Sequence, residues 1–181
     1  FVSRDDRYFQ DKYQAIPAEG YTKMAERMLD NPLIRTELNT DFNDVRGSTD
    51  YERLFYTGPI DEFFDFELGE LPYRSLDIVF RRHDRAFYQS GPQINYPENY
   101  DFTRSVEYKY YLDEYPQAYE AGRNERYYPV PDAKNHELYR RYRRKADGLE
   151  KVYFAGRLGD YKYYNMDEAV KRALELFEEI R

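Results

Sequence analysis

The stretch Val152-Tyr-Phe-Ala-Gly-Arg-Leu-Gly-Asp-Tyr-Lys-Tyr-Tyr-Asn-Met-Asp167 decides how the rest of the chain is read. Val152, Tyr153, Phe154 and Ala155 form an apolar, strand-favouring run, which predicts a short buried strand. Gly156 and Gly159 follow in a tight loop, where backbone can come close to something else. Asn165 with Glu168 three residues later is a capping-box pattern, so a helix should start at Met166. Beyond it Ala169, Val170, Ala173, Phe177 and Ile180 recur at helical spacing, which predicts one buried face and a helix start pointing back at the loop. Exposed amides there attract anions or carbonyl oxygens. On spacing alone, the same stretch also describes the last strand and helix of any α/β domain, with Arg157 salt-bridged and the tyrosines packed on their rings.

Composition narrows the chemistry. The chain of 181 residues is long enough for one domain with a real core, or for part of a larger enzyme. It carries 22 Tyr and 12 Phe against 3 Met and no Trp, so aromatic rings must serve both as core and as polar contacts. The net charge of −7 disfavours nonspecific binding to nucleic acid or anionic membrane, and an anionic ligand must find a local cluster of arginines. With no Cys, disulfides and thiolate metal sites are excluded, which suits a cytoplasmic location. Only His83 and His136 could be imidazole ligands, and no metal site is predicted. No run approaches the length of a membrane span, and the first residues are no signal peptide. The chain does not begin with Met, and a piece of something longer is expected.

Outward from the opening stretch, Tyr13-Gln-Ala-Ile-Pro17 ends a strand-like lead-in that includes Arg7-Tyr-Phe9. A helix is expected from Tyr21 to Leu29, with Met24, Met28 and Leu29 on one side, and then a strand over Leu33-Ile-Arg-Thr-Glu-Leu38. Residues 39–52 read as a polar loop. Arg53-Leu-Phe-Tyr-Thr-Gly-Pro-Ile-Asp61 is a second buried strand closed by a Gly-Pro turn. Alternation then predicts an antiparallel meander, with strands at 71–80, 93–96, 102–111 and 127–130. Residues 132–147 form a charged helix with Leu138 and Tyr142 inward, and the run Arg140-Arg-Tyr-Arg-Arg-Lys145 reads as a solvated face.

Several blocks in this order resemble UDP-galactopyranose mutases. They are Arg7-Tyr-Phe with Tyr13 and Ile-Pro, Tyr-Thr-Gly-Pro-Ile-Asp61 with Phe-Phe-Asp and Tyr-Arg-Ser-Leu, Phe-Thr-Arg104, Glu114-Tyr-Pro, Tyr127-Tyr-Pro-Val, and Ala-Gly-Arg-Leu-Gly-Asp-Tyr-Lys-Tyr-Tyr-Asn-Met-Asp167. The resemblance covers nearly the whole chain. It implies an isomerase that interconverts UDP-galactopyranose and UDP-galactofuranose, with FAD as cofactor and UDP-galactose as substrate. In that family reduced flavin attacks the anomeric carbon through N5 while UDP leaves. The protein's own contribution is a preorganised set of Arg forks and Tyr hydroxyls for the diphosphate.

Carried over residue by residue, the resemblance implies that Arg104 and Tyr13 hold the diphosphate, that Asn95 reaches the substrate from the sheet, and that Tyr128 and Tyr163 add hydroxyls. It gives flavin contacts to Arg157 and to Tyr164, Asn165, Met166, Asp167, Glu168 and Ala169. Arg74 lies beside the site with its role open, and no catalytic side chain is assigned because the flavin carries the chemistry.

Departures from the pattern matter as well. No Gly-x-Gly-x-x-Gly occurs, so the strand-turn-helix that cradles the FAD pyrophosphate is lacking. Asn165 stands where the family usually has Asp, keeping an N-cap without its charge. The span from Glu107 to Tyr115 looks shorter than the family's hairpin.

The expected fold is α+β: an antiparallel substrate-binding sheet plus partial α/β (Rossmann-like) FAD-domain elements. The expected organisation is a lead-in segment over 1–20, an FAD-domain-type helix and strands over 21–62, the antiparallel sheet over 63–131, and a C-terminal helix-strand-helix of the FAD domain over 132–181. A C-terminal mutase portion with little turnover of its own is the leading reading, and a homo-oligomer is open to it. The alternative is a non-catalytic module that recognises a nucleotide sugar or a protein. A glycosidase using two carboxylates ranks last, because no carboxylate pair stands out.

Overall fold

The predicted strand of the opening stretch forms at Val152–Phe154 (β7) and lies parallel to Leu54–Tyr56 (β1), with Tyr56 opposite Phe154. A computed structural model describes residues 11–97, 99–107 and 111–181. The block Arg7-Tyr-Phe9 lies outside them. The chain divides into two units, residues 1–50 and 51–181.

In the first unit, Tyr21–Leu29 forms the expected helix (α1), and none of its residues is buried. Phe42–Val45 makes a short helix (α2) inside the expected loop, capped by the Asp41 carboxylate, which accepts from the Asn43 N–H at 2.8 Å. The strand expected over residues 33–38 is not formed. Leu33 and Leu38 are 93% and 79% exposed, and among the described residues no neighbouring strand gives the alternation a ladder to join.

Among the described residues the second unit holds two sheets. Beyond β1, the turn at Gly58 and Pro59 leads into Ile60–Phe63 (α3). Five strands follow: Tyr73–Arg81 (β2), Gln93–Asn95 (β3), Arg104–Glu107 (β4), Tyr111–Ala118 (β5) and Tyr128–Pro129 (β6). They form an antiparallel sheet in the order β3-β4-β5-β2-β6. Mixed α+β is therefore the observed class.

One strand differs from expectation. Of the strand expected over 102–111, Arg104–Glu107 forms β4, residues 108–110 lie outside the described residues, and Tyr111 belongs to β5, which pairs antiparallel with β4 at Glu107 and along β2 from Arg81↔Tyr111 to Arg74↔Ala118. β5 contains Asp113, Glu114 and Pro116, poor strand formers that are held by partners across the sheet. The Asp113 carboxylate accepts from the Arg81 guanidinium, and Arg81 also donates to the Tyr115 hydroxyl at 2.9 Å. At the same end of the sheet, Glu107 accepts from the Tyr88 and Gln89 amides at 2.9 Å and meets His83 Nε2 at 3.1 Å.

The core lies where the parallel pair meets the helices. Ala133–Ala146 (α4) starts at Asp132, whose carboxylate accepts from the Asn135 N–H at 2.7 Å. Its Tyr142 is fully buried, accepts from the Leu68 N–H at 3.0 Å and donates to the Gly69 carbonyl at 2.7 Å. Phe154 packs edge-on to Phe63 at 4.9 Å and to Tyr56 at 5.8 Å between ring centroids. The basic run of α4 is met by carboxylates: Arg140 and Arg144 face Glu137, Arg143 faces Asp147 and Lys145 faces Glu67. That supports a solvated helix face.

Asp61 carries a pH prediction. Its carboxylate is 1% exposed; Oδ2 accepts from the Leu71 N–H at 2.8 Å, while Oδ1 has no hydrogen-bond partner among the described residues. Burial pushes its pKa above the ordinary 3.8, against the pull of the Leu71 amide and Arg126. A raised folded pKa contributes stability below the unfolded value and loses it as pH rises through the folded one. Asp61→Asn keeps the acceptor for Leu71 and removes the titration. Denaturant melts from pH 4 to pH 7 should show a flatter stability profile for the variant, with the variant at least as stable at pH 7.

Helix Met166–Glu179 (α6) begins where the capping box predicts, and the Asn165 N–H donates to the Glu168 carboxylate at 2.8 Å. Its buried face is not the expected one. Leu176 is buried, whereas Val170 and Phe177 are 52% and 55% exposed and Ala173 is also exposed. The periodicity identified a real apolar stripe, but the second unit covers only the flank that carries Leu176.

Candidate functional site

The close approach expected of the glycines is present. Gly156–Gly159 is a short helix (α5), with Gly156 at φ 87. A Cβ on Gly159 would sit 3.2 Å from the Tyr56 carbonyl oxygen, so glycine lets α5 nest against the end of β1 without displacing that backbone.

The chain then turns at Tyr161, whose φ of 45 is unfavourable for a bulky residue. Its burial and hydroxyl hold it there. That hydroxyl donates to the Pro72 carbonyl at 2.7 Å and accepts from the Val130 N–H at 3.2 Å, and burial pushes its pKa up to about 12. The turn ties the closing segment to the ends of β2 and β6 and presents Tyr163 to Tyr128.

There the rings of Tyr128 and Tyr163 stack with centroids 5.8 Å apart. The Arg157 guanidinium lies 4.4 Å from the Tyr163 ring centre and 5.9 Å from that of Tyr128. Arg157 Nε donates to the Tyr164 carbonyl at 2.7 Å, which orients the fork. No carboxylate among the described residues pairs with this half-buried cation.

The sheet supplies the other side. Cross-strand register places Asn95 opposite Arg104 and Arg104 opposite Glu114, so the three share a face. Arg104 Nε donates to Asn95 Oδ1 at 3.2 Å, and its Nη1 is 3.5 Å from Glu114 Oε2. Arg74 pairs with Tyr128 across β2 and β6. The Tyr128 hydroxyl links the two sides electrostatically. Its pKa is raised, first by burial and then by the Glu114 charge, while Arg104 and Arg157 pull the other way. At neutral pH it is a neutral phenol, able to donate to an anion.

Asn95, Arg104, Tyr128, Tyr163 and Arg157 are thus brought together. Asn165 adjoins them, its side-chain oxygen accepting from the Tyr163 hydroxyl at 3.1 Å. The Tyr164 ring is buried, and its hydroxyl donates to Asp160 at 3.2 Å. Asp167 and Glu168 lie exposed in the first turn of α6, Ala169 is half-buried and Met166 is 61% exposed. Tyr13 belongs to the first unit, where it is 82% exposed with Lys12 Nζ 5.2 Å from its ring centre.

Sequence reasoning assigned no role to Glu114, although it quoted the block Glu114-Tyr-Pro. Glu114 holds Arg104 in place and partly neutralises it, a pairing visible only once β5 is registered against β4. Glu62 is paired with Arg126 at 2.9 Å, which engages one of the carboxylates that a glycosidase would need free. Among the described residues no group of three or more His, Asp or Glu side chains could hold a metal ion.

Two arginines and two phenols near one another make a local cluster of donors that suits an anion. A family profile described as UDP-galactopyranose mutase matches residues 1–163. The chain belongs to the UDP-galactopyranose mutase family. It is 33% identical to the UDP-galactopyranose mutase of Mycoplasma genitalium, over 99% of this chain and 50% of the relative. It is 34% identical to the probable UDP-galactopyranose mutase of Klebsiella pneumoniae, over 97% of this chain and 48% of the relative. It is also 33% identical to the dTDP-fucopyranose mutase of Escherichia coli, over 94% of this chain and 50% of the relative. The chain spans about half the length of these mutase relatives. No helix among the described residues is long and apolar enough to cross a membrane.

Proposed function

We propose that this chain is the substrate-sheet and flavin-contacting portion of a mutase that interconverts UDP-galactopyranose and UDP-galactofuranose. The reading is carried by one observation, the meeting of Arg104, Arg157, Tyr128 and Tyr163 around a shared site. Arg104 holds the substrate diphosphate, aligned from one side by Asn95 and from the other by Glu114. Tyr128 and Tyr163 donate hydroxyls to the same oxygens. Arg74 borders the site. As the glycosidic bond to the anomeric carbon breaks, negative charge grows on the departing diphosphate. Fixed donors stabilise that growth without having to reorganise.

The residues present fit FAD. Arg157 is a half-buried cation with no carboxylate partner among the described residues, beside the capped start of α6, where amides favour electron-rich groups. When bound, the flavin supplies the nucleophile at the anomeric carbon. Arg157 and residues 164–169 hold it against the sheet, with Asn165 capping the helix without adding a charge. The parallel pair β1 and β7 with α4 and α6 is the Rossmann-like part of that layer.

The E. coli relative acts, by its name, on a different sugar nucleotide at nearly the same identity. Both substrates carry the diphosphate, so the test uses UDP, UDP-galactose and a dTDP-sugar side by side. We expect UDP and UDP-galactose to bind through Arg104, with little or no turnover by the chain alone. Incubation with FAD followed by desalting separates the rival reading: a retained flavin absorbance band supports the mutase portion. UDP binding without flavin favours a non-catalytic nucleotide-sugar module, and UDP binding indifferent to Arg104→Ala overturns both.

A further inference from the structure

We infer that Tyr161 is a positioning residue of the proposed site, its buried hydroxyl fixing where Tyr163 stands. The inference rests on the function proposed above and adds a residue buried beneath that site. Tyr163 is 51% exposed, and its contacts include the Tyr128 ring, the Arg157 guanidinium and the Asn165 side chain. Packing does little to fix so open a side chain, so its place depends on the backbone that carries it.

That backbone is anchored two residues earlier. Tyr161 is 2% exposed at φ 45, a conformation that a bulky residue keeps only where its surroundings hold it. Its ring meets Tyr73 edge-on at 5.3 Å and stacks on Tyr139 at 5.9 Å between centroids. The hydroxyl adds direction to that packing. It donates to the Pro72 carbonyl at 2.7 Å and accepts from the Val130 N–H at 3.2 Å. Pro72 precedes β2 and Val130 follows β6, the strands that carry Arg74 and Tyr128. One phenol therefore ties the closing loop to both strands whose register places Tyr128, the ring on which Tyr163 stacks.

The strands do not need this hydroxyl to stay joined. The Val130 N–H also donates to the Pro72 carbonyl at 3.2 Å, and the Val130 carbonyl accepts from the Asn135 side chain at 3.0 Å. Tyr161→Phe thus keeps the ring and leaves these backbone groups partnered, so it removes the tie between loop and sheet at little cost to the fold. Tyr142 supplies a matched control. Its buried hydroxyl likewise accepts from one amide, Leu68, and donates to one carbonyl, Gly69, at a place that carries no residue of the proposed site.

The test reads the full chain and its variants in two ways. Through-space NMR contacts between the Tyr128 and Tyr163 rings, selectively labelled, are expected in the parent and in Tyr142→Phe and are lost in Tyr161→Phe. In titrations with UDP, Tyr161→Phe should weaken binding by about three- to tenfold, the share of one hydrogen bond, and Tyr142→Phe should leave it unchanged. Added to Tyr163→Phe, Tyr161→Phe should weaken binding no further, because the hydroxyl that it positions is already gone, and a loss of stability alone would not show that dependence. Undiminished ring contacts in Tyr161→Phe overturn the inference. So do equal losses of UDP affinity for Tyr161→Phe and Tyr142→Phe, or the same loss from Tyr161→Phe with and without the Tyr163 hydroxyl. If Arg104-dependent UDP binding persists while the ring contacts ignore Tyr161, only this inference falls. If the ring contacts depend on Tyr161 but UDP binding is absent or indifferent to Arg104→Ala, the positioning of Tyr163 stands and the mutase reading falls.

Discussion

Arg104→Ala should weaken UDP binding about a hundredfold, the effect of losing charge-assisted hydrogen bonds worth on the order of 2–3 kcal/mol. Arg104 is held between Asn95 at 3.2 Å and Glu114 at 3.5 Å, so its guanidinium is set before the ligand arrives. Arg104→Lys should recover only part of the loss, because an ammonium keeps the charge but not the two-pronged fork. Arg81→Ala is the control: Arg81 engages Asp113 and Tyr115 on the other face of the sheet, and UDP affinity should not move. Calorimetric or NMR titration reads all three. Equal losses for the alanine variants of Arg104 and Arg81 would mean a general electrostatic effect and not a site.

The second large effect is on stability. Phe154→Ala should cost about 3–5 kcal/mol, since the ring is 2% exposed and touches Phe63, Phe64 and Tyr56. Against a typical total of roughly 5–15 kcal/mol, that is enough to lower the melting temperature by about 10 °C or to unfold the second unit. Phe177→Ala removes the same ring from the exposed stripe of α6 and should change the chain's stability by less than about 0.5 kcal/mol. Chemical denaturation of the two variants checks the contrast. A large loss for Phe177→Ala would show that the stripe is covered in the chain alone.

These two phenylalanines also mark the limit of what the sequence discloses. Both sit in apolar patterns, and both patterns gave the right element. Periodicity says which residues share a face; it does not say what covers that face, so Phe154 was correctly expected in the core and Phe177 was not. The capping box at Asn165 and Glu168 was legible because all its atoms lie within one turn of helix. β5 was not. Its Asp113 and Glu114 are stabilised by Arg81 and Arg104 on neighbouring strands, and no local pattern contains those partners.

The site followed the same rule. Arg104, Tyr128 and Tyr163 are far apart in sequence and individually unremarkable, and only the ordered blocks of the family resemblance nominated them together. Glu114 stood in one of those blocks without a role until register placed it opposite Arg104. Tyr161, whose left-handed turn presents Tyr163, gave no signal, since a bulky residue at positive φ is the opposite of what a turn pattern suggests.

The central claim is that side chains from the sheet and from the closing loop grip one diphosphate. A double-mutant cycle on UDP affinity, combining Arg104→Ala with Tyr163→Phe, tests it most directly. Two groups on a shared ligand should couple by about 0.5–3 kcal/mol, so the double variant should lose less than the sum of the single losses. Strict additivity, or a Tyr163→Phe variant that binds UDP as tightly as the parent, would contradict the account.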